Sequence, residues 1–168
     1  MNPALEQLGI TPGLLDARGF IAQHEAQHLQ LAETGEDGRE YLLTPATSAA
    51  WHSMKIAAQR DGITLVMVSA FRSVQRQVEI VQAKLDEGRQ IADILTVVAP
   101  PGYSEHHTGR AIDIGSDDDT PELEVAFETT AAFAWLTQHA NTFGFTMSYP
   151  KGNSSGYQYE PWHWCFAG

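Results

Sequence analysis

The stretch Ser104-Glu-His-His-Thr-Gly-Arg-Ala-Ile-Asp113 constrains the fold of this chain more than any other. It places His106 seven residues before Asp113, with Gly109 between them and a short predicted strand over 110–114 around the acid. The two side chains meet only if a tight turn brings the histidine back beside the strand. Gly109 permits that turn, because glycine adopts backbone angles that other residues avoid. An imidazole and a carboxylate at one point suit a zinc ion, so the stretch predicts two ligands of a metal site.

A catalytic zinc ion usually has three protein ligands and one open position for water, so a third ligand is expected elsewhere in the chain. We place it at His163, in the segment Glu160-Pro-Trp-His163. Pro161 is incompatible with the interior of a regular helix, so this segment is predicted to be a turn that enters a strand. Glu160 is then available as the general base of a metal-assisted hydrolysis. Taken alone, the pair is better explained as a surface carboxylate and a half-buried histidine; His106 and Asp113 shift the interpretation to a metal site.

Length and charge exclude several classes of protein. At 168 residues and 18.5 kDa the chain is predicted to form one domain with its own core. The net charge of -11 argues against nucleic acid or an anionic membrane surface as the main partner, because both require a basic face. No stretch has the length of a membrane span and no export signal is visible, so the chain as given is predicted to be cytoplasmic. The single cysteine, Cys165, excludes an internal disulfide.

Start and stop signals predict an α+β fold, with helices packed on a small, mainly antiparallel sheet. Thr11-Pro12, Thr44-Pro45 and Ser73 are each typical of a helix start. Alternation and β-branched residues indicate the strands. The predicted helices cover 12–32, 45–60, 74–85, 89–98 and 122–143, and the last of them is in one or two pieces. The predicted strands cover 41–43, 63–71, 110–114, 145–149 and 162–166. The strand 63–71 is expected in the centre of the sheet.

Arg72 directly follows the predicted strand 63–71. Polar residues at strand ends are often functional. A guanidinium there can hold a substrate carboxylate in bidentate fashion or stabilise a developing oxyanion. A salt bridge to one of the many acids is the alternative interpretation.

A second candidate metal motif lies near the N-terminus. His24-Glu-Ala-Gln-His28 matches HExxH, in which two histidines on one helix face bind zinc and the glutamate, here Glu25, acts as base. The pattern fixes only three positions, and the longer metzincin signature is absent because Leu31 stands three residues after His28. We therefore interpret His24 and His28 as exposed or packed residues rather than as the working site.

The spacing leaves two further questions open. His106 and His107 are neighbours whose side chains point to opposite faces of an extended chain, so only one is expected to reach the metal, and the separation from Asp113 does not decide which. Cys165 stands two residues after His163 and could face the same side of a strand, where its thiol would be an extra ligand.

Three segments together resemble the VanY-like zinc D-alanyl-D-alanine carboxypeptidases, which belong to the LAS-type metallopeptidases. They are Ser69-Ala-Phe-Arg-Ser73 with Gln77 five residues after the arginine, the stretch from Ser104 to Asp113, and Glu160-Pro-Trp-His163. Their order matches the SGYRS…Q, SxHxxGxAxD and ExxH blocks of that family, and the resemblance covers about 41–168. The departures are Ala70, Phe71 and Cys165, which replace a frequent glycine, tyrosine and arginine.

The resemblance implies the α+β fold shared with lysostaphin-type peptidases and the hedgehog signalling domain. It also implies a single zinc peptidase domain over 1–168, with a family-like core over 41–168. The helical extension over 1–40 has no counterpart in the family pattern and could be a lid, a packing helix or an interaction surface. The resemblance implies that His106, rather than His107, binds zinc together with Asp113 and His163. It implies that Glu160 is the general base and that Arg72 binds the substrate carboxylate or stabilises the oxyanion. Ser104 and Gln77 would contact the peptide.

The implied substrate is a peptidoglycan stem peptide or muropeptide that ends in D-alanine, and the implied location is the cell envelope. The cut would be of D,D, L,D or dipeptidase type, and a monomer is expected. One alternative is an endopeptidase or lysin that opens cross-bridges on the same fold. Another is a non-catalytic wall-binding module, which intact His106, Asp113, Glu160 and His163 argue against, because such a module needs no base beside an open metal.

Overall fold

Three hydroxyl side chains begin three of the helices. In the computed structural model, which describes residues 3–168, Thr11, Thr44 and Ser73 each accept a hydrogen bond from the backbone N–H three residues later. This contact satisfies one of the N–H groups that a helix leaves unpaired at its start. The helices that follow are α2 (Pro12–Arg18), α3 (Pro45–Arg60) and α4 (Val74–Asp86). The predicted extents of α3 and α4 are confirmed.

The first of these helices ends much earlier than predicted. The prediction of a helix to about Ala32 is wrong, because Gly19 takes a left-handed conformation (φ 63°) and closes α2. The chain then runs without regular structure to β1 (Gln30–Thr34), which pairs antiparallel with β2 (Glu40–Leu43). The HExxH sequence therefore lies on no helix, and its two histidines are exposed.

A four-stranded antiparallel sheet carries the site. Its strand order is β3 (Val66–Ser69), β4 (Ala111–Gly115), β6 (His163–Phe166), β5 (Phe145–Met147). The prediction that 63–71 forms a central strand is wrong, since β3 is shorter and lies at the edge. The central position belongs to β4, whose five residues are all buried.

The predicted 89–98 helix is reduced to one turn, and the predicted 122–143 helix is divided into three short pieces. Gly144 (φ 83°) ends the last piece, as expected. None of the helices within residues 3–168 has the length and apolar character that a bilayer span requires. The remaining elements are α1 (Pro3–Gln7), α5 (Ile91–Ile94), α6 (Ala131–His139) and the 3-10 turns Glu105–Thr108, Val125–Thr129 and Ala140–Phe143.

The main core lies between the sheet and the helices α3 and α6. Trp51 and Met54 of α3 are fully buried there against the inner face of β4. Trp135 donates its indole N–H to Asp61 at 2.7 Å, which ties α6 to the end of α3. The predicted inward residues of α6 are confirmed, since Trp135 and Leu136 are both buried.

The N-terminal residues build a second core together with α4 and α5. Leu5, Leu8 and Ile10 pack with Leu15 of α2 against Val81 of α4 and the buried residues of α5. The first two residues of the predicted extension 1–40 lie outside the described residues. The part of that extension up to Leu15 packs on α4, whereas Ala32 of β1 belongs to the main core. Within the described residues the predicted helical extension is helical only in α1 and α2.

Truncating Ile10 tests whether this second core contributes to stability. Ile10 is 0% exposed, so Ile10→Ala should lower the free energy of unfolding by about 2–5 kcal/mol through lost burial and a residual cavity. Ile21, which is 75% exposed, provides the matched control, and Ile21→Ala should change stability by less than about 0.5 kcal/mol. Urea denaturation followed by tryptophan fluorescence measures both. Equal midpoints for the two variants would contradict a packed N-terminal layer.

Candidate metal and catalytic site

Strand pairing brings two of the predicted metal ligands together. Asp113 on β4 lies directly opposite His163 on β6, and β3 on the other side of β4 places Ser69 opposite the same acid. Directly opposed residues on an antiparallel pair have their Cβ atoms about 4.5–5.5 Å apart. His163 Nδ1 accordingly lies 3.0 Å from Asp113 Oδ1.

The third ligand is delivered by the 3-10 turn before β4. The Ser104 hydroxyl accepts from the N–H of His106 at 3.3 Å and begins the turn, and Gly109 ends it in a left-handed conformation (φ 66°). A Cβ atom at position 109 would lie 2.7 Å from a methyl carbon of Leu29. Glycine at this position therefore also leaves room for the Leu29 side chain. The result is a His106 ring whose Nε2 lies 3.2 Å from Asp113 Oδ2.

Hydrogen bonds to the far nitrogens orient both imidazoles. His106 Nδ1 donates to the carbonyl oxygen of Ala70 at 2.7 Å, which leaves Nε2 as the free lone pair. His163 has the opposite arrangement: Nε2 donates to Glu105 at 2.8 Å, and Nδ1 faces Asp113. The potential ligand atoms of His106, Asp113 and His163 all lie within 4.8 Å of one another, and all three residues are buried. Two nitrogens and one carboxylate at these distances could hold a metal ion.

Glu105 is a site residue that the sequence analysis missed. Its Oε2 accepts from His163 Nε2 and also from the Ser148 hydroxyl at 2.6 Å. Burial acts to raise the pKa of Glu105, but the hydrogen bond and charge of His163 outweigh it and lower the pKa. For His163, burial acts to lower the pKa, and the bonds to Asp113 and Glu105 outweigh it and raise the pKa to about 10. The position of Glu105 beside His106 in the sequence was the available signal.

His107 has a structural role. Its Nδ1 donates to the carbonyl oxygen of Arg72 at 2.6 Å, and its Nε2 accepts from the N–H of Gly102 at 3.1 Å. Both ring nitrogens are therefore occupied within the protein. Of the two neighbouring histidines, His106 is the one whose ring faces Asp113.

Glu160 lies beside the ligand group. Its carboxylate is 3.9 Å from His163 Nδ1, and its backbone N–H donates to the carbonyl oxygen of Tyr149 at 3.0 Å. Burial raises the pKa of Glu160 to about 7, with the attraction of His163 opposing the shift. A carboxyl group with that pKa exchanges a proton readily near neutral pH.

Arg72 is held at the end of β3 by two side chains. Its guanidinium donates to Gln77 Oε1 at 3.1 Å and to the Ser69 hydroxyl at 3.3 Å, and lies 3.6 Å from Asp113 Oδ2. Burial lowers the pKa of Arg72, and the charges of Asp113 and Glu160 counteract that effect. Gln77 also donates to the carbonyl oxygen of Ala99 at 2.8 Å. The predicted peptide contacts of Gln77 and Ser104 stay predictions, since both side chains are buried and bonded within the protein.

These residues open onto one cleft of about 900 Å³. All seven residues that the sequence analysis assigned to the site line it: Arg72, Gln77, Ser104, His106, Asp113, Glu160 and His163.

The other candidate ligands lie apart from this group. Glu25 of the HExxH sequence accepts from the N–H of Val74 at 2.6 Å and so caps α4. Cys165 does not belong to the ligand group found among residues 3–168. Burial and the neighbouring Glu105 carboxylate raise the pKa of Cys165 to about 12, so its thiol stays protonated.

The site combines three features that suit hydrolysis. They are a buried three-residue group that could hold a metal ion, an adjacent carboxyl group with a pKa near 7, and a fixed guanidinium. The metal and the guanidinium are the means by which such sites stabilise negative charge on oxygen. The carboxyl group can take and return a proton.

Comparisons with known proteins agree with this geometry. Residues 40–168 match the family model VanY, described as D-alanyl-D-alanine carboxypeptidase. A D-alanyl-D-alanine carboxypeptidase of Enterococcus faecalis is 32% identical over 122 residues, which are 67% of this chain and 43% of that protein. The chain therefore spans less than half the length of this relative.

Two solved structures are similar over most of the chain. The LD-carboxypeptidase LdcB superposes with a TM-score of 0.76 at 32% identity, covering 87% of this chain and 71% of that one. A variant of the D,D-pentapeptidase VanY from a VanB-type vancomycin resistance cassette, in complex with Zn(II), superposes with a TM-score of 0.67 at 28% identity. That match covers 89% of this chain and 83% of the other. The predicted α+β fold of the D-alanyl-D-alanine peptidase type is confirmed.

Removing Glu105 should weaken metal binding. Without its carboxylate, the His163 ring loses the contact that fixes its orientation, and loss of such a contact costs about 10–100-fold in metal affinity. Competition between the apoprotein of Glu105→Ala and a chromophoric chelator for Zn²⁺ measures the effect. Glu124→Ala, at an exposed position on the same cleft, is the control that should keep full affinity. Equal affinities would show that Glu105 does not support the metal site.

Proposed function

The chain belongs to the VanY family of D-alanyl-D-alanine carboxypeptidases, and on that premise we propose that it removes the C-terminal D-alanine from peptidoglycan stem peptides. The proposal rests on one observation above the others. The buried ligand group of His106, Asp113 and His163 stands beside Glu160 in an open cleft, and the pKa of Glu160 is raised to about 7.

Zinc is the cofactor that this donor set fits. It would be held by His106 Nε2, His163 Nδ1 and the Asp113 carboxylate, because the other nitrogen of each ring is engaged by Ala70 or Glu105. When bound, zinc supplies Lewis acidity toward a water molecule and the scissile carbonyl.

Glu160 would move the protons of the reaction. In its ionised form it accepts a proton from the attacking water, and in its protonated form it returns that proton to the leaving amine of D-alanine. Both forms are populated near neutral pH because burial raises the pKa of the carboxyl group to about 7.

Arg72 would stabilise negative charge beside the metal. Its guanidinium is held by Gln77 and Ser69, so it would need little reorganisation when charge develops on the carbonyl oxygen. The same group could instead hold the terminal carboxylate of the substrate. In this second role a fixed cation favours a substrate with a free C-terminal carboxylate over an internal peptide bond.

Muropeptide digestion tests the proposal. The zinc-loaded protein is incubated with muropeptides that carry pentapeptide or tetrapeptide stems, and the products are identified by mass spectrometry. Loss of one alanine from the pentapeptide establishes a D,D-carboxypeptidase, and loss from the tetrapeptide establishes an L,D-carboxypeptidase. Cleavage of cross-linked dimers alone, or no cleavage at all, would overturn the carboxypeptidase proposal.

The similarity to an LD-carboxypeptidase and to a D,D-pentapeptidase supports both carboxypeptidase specificities. Pentapeptide and tetrapeptide stems are therefore assayed side by side.

Replacing the base should separate metal binding from catalysis. Glu160→Gln keeps the size of the side chain but cannot accept a proton, so hydrolysis should fall by at least about 10²–10⁴-fold. Zinc content, measured by atomic absorption, should stay at one ion per chain because Glu160 is outside the ligand group. Glu122→Gln removes an exposed carboxylate from the same cleft and should retain activity. Loss of zinc from Glu160→Gln would count against the role of a base.

A further inference from the structure

The cations of this acidic chain are concentrated in the catalytic cleft. The chain has 10 lysines and arginines against 21 acids, for a net charge of -11. Half of those cations line the one cleft: Arg39, Arg72, Arg76, Lys84 and Arg89. The same cleft is lined by five acids, Glu105, Asp113, Glu122, Glu124 and Glu160, so it is less negative than the chain as a whole rather than positive throughout.

Four of the five cations lie along α4 and its flanks. Arg72 precedes the helix, Arg76 and Lys84 are eight residues apart on it, and Arg89 follows it. Each step of four residues turns an α-helix by about 40° beyond one full turn, so Arg76, Ile80 and Lys84 lie on one broad side of α4, and all three line the cleft. The N–H of Arg89 donates to the carbonyl oxygen of Lys84 at 3.2 Å, which keeps Arg89 beside the end of the helix. We call these four cations, from Arg72 to Arg89, the α4 wall.

The outer cations of the α4 wall are available to a ligand. Arg72 is committed to the metal site, and Arg76 pairs with Glu79 at 2.8 Å. Among the residues that the structure describes, the ion pairs of lysine and arginine leave Lys84 and Arg89 without an acidic partner. Arg89 is exposed and Lys84 is half-buried.

The length of the α4 wall indicates which part of a substrate it meets. Eight residues of helix span about 12 Å, whereas one extended peptide residue spans at most about 3.6 Å. In a carboxypeptidase the leaving group is a single amino acid with a single carboxylate, which one cation satisfies. Any further carboxylates on a bound substrate belong to residues that precede the scissile bond.

We propose that Lys84 and Arg89 form a subsite for carboxylates that the substrate carries upstream of the scissile bond. This inference rests on the proposed peptidase function and specifies its substrate as an acidic peptide. Ile80, Val97 and Val98 line the same cleft and offer apolar surface for short side chains between the acids. Glu122 and Glu124, which are exposed and line the same cleft, carry the opposite charge and offer no site for a substrate carboxylate.

A pair of synthetic peptides tests the subsite. Both have the same length and the same C-terminal residues, chosen from the stem that the enzyme cleaves; one carries glutamate at two upstream positions and the other carries glutamine there. Wild-type enzyme should prefer the acidic peptide in kcat/KM by about three- to tenfold, as expected for two exposed ion pairs. The ratio of kcat/KM for the acidic peptide to kcat/KM for the glutamine peptide should decline toward one in the double variant Lys84→Gln/Arg89→Gln. It should also decline in 1 M salt, where charges are screened within about 3 Å.

Two control variants separate a local effect from net charge. Arg60→Gln removes an exposed cation at the end of α3, outside the cleft, and should keep the wild-type preference. Glu124→Gln removes one of the acids that line the cleft and should not lower the preference for the acidic peptide. A wild-type preference of one or below, or an equal loss in Arg60→Gln, would overturn the subsite.

Binding distinguishes failure of the subsite from failure of the proposed function. If neither peptide is hydrolysed, the peptidase proposal fails, and isothermal titration of both peptides into Glu160→Gln still tests the α4 wall. Tighter binding of the acidic peptide that disappears in Glu160→Gln/Lys84→Gln/Arg89→Gln supports the subsite. Equal binding of the two peptides overturns it, whatever the result with muropeptides.

Discussion

The pairing of Asp113 with His163 across β4 and β6 is the contact on which the rest of the site depends. A buried carboxylate is costly unless other groups compensate its charge. Burial acts to raise the pKa of Asp113, yet His106 and His163 outweigh it and lower the pKa well below its usual range. Asp113 is contacted by His163 of β6, by His106 of the 3-10 turn and by Arg72 after the end of β3. The buried metal-ligand group is therefore a consequence of strand register as much as of residue identity.

Hydrogen bonds and ring contacts connect the predicted ligands to the surrounding structure. Ala70 and Glu105 fix the two imidazoles, His107 ties the turn to the backbone of Arg72, and Gln77 holds the Arg72 guanidinium. An aromatic series extends the support to the N-terminal layer. Phe20 contacts Tyr157, Tyr157 contacts Tyr149, and Tyr149 contacts the His163 ring, with ring centroids 4.7–5.5 Å apart. The N-terminal residues thus stabilise the site without lining the catalytic group itself.

The electrostatics of the cleft differ from those of the chain as a whole. A net charge of -11 would repel an acidic substrate, but half of the cations face the cleft and the acids nearest the metal are paired or carry shifted pKa values. Local charge governs binding over distances of about a Debye length, roughly 10 Å at 0.1 M salt. Composition alone therefore argued against nucleic acid as a partner but carried no information on the charge of the substrate.

Local chemistry was sufficient to predict much of this protein from sequence. The caps at Thr11, Thr44 and Ser73, the left-handed Gly109 and Gly144, and the ligand and base candidates all depend on short segments whose residues act on their neighbours. Long-range contacts decided the rest. Gln30–Thr34, which was predicted to be partly helical, forms β1 because it pairs with β2. Strand β3 lies at the edge because β4 is its single partner in the sheet. His107 is structural because Arg72 and Gly102 occupy its two nitrogens, and Glu105 belongs to the site because β6 brings His163 to it. Those contacts join residues up to 58 positions apart, such as Glu105 and His163, which spacing along one chain cannot specify.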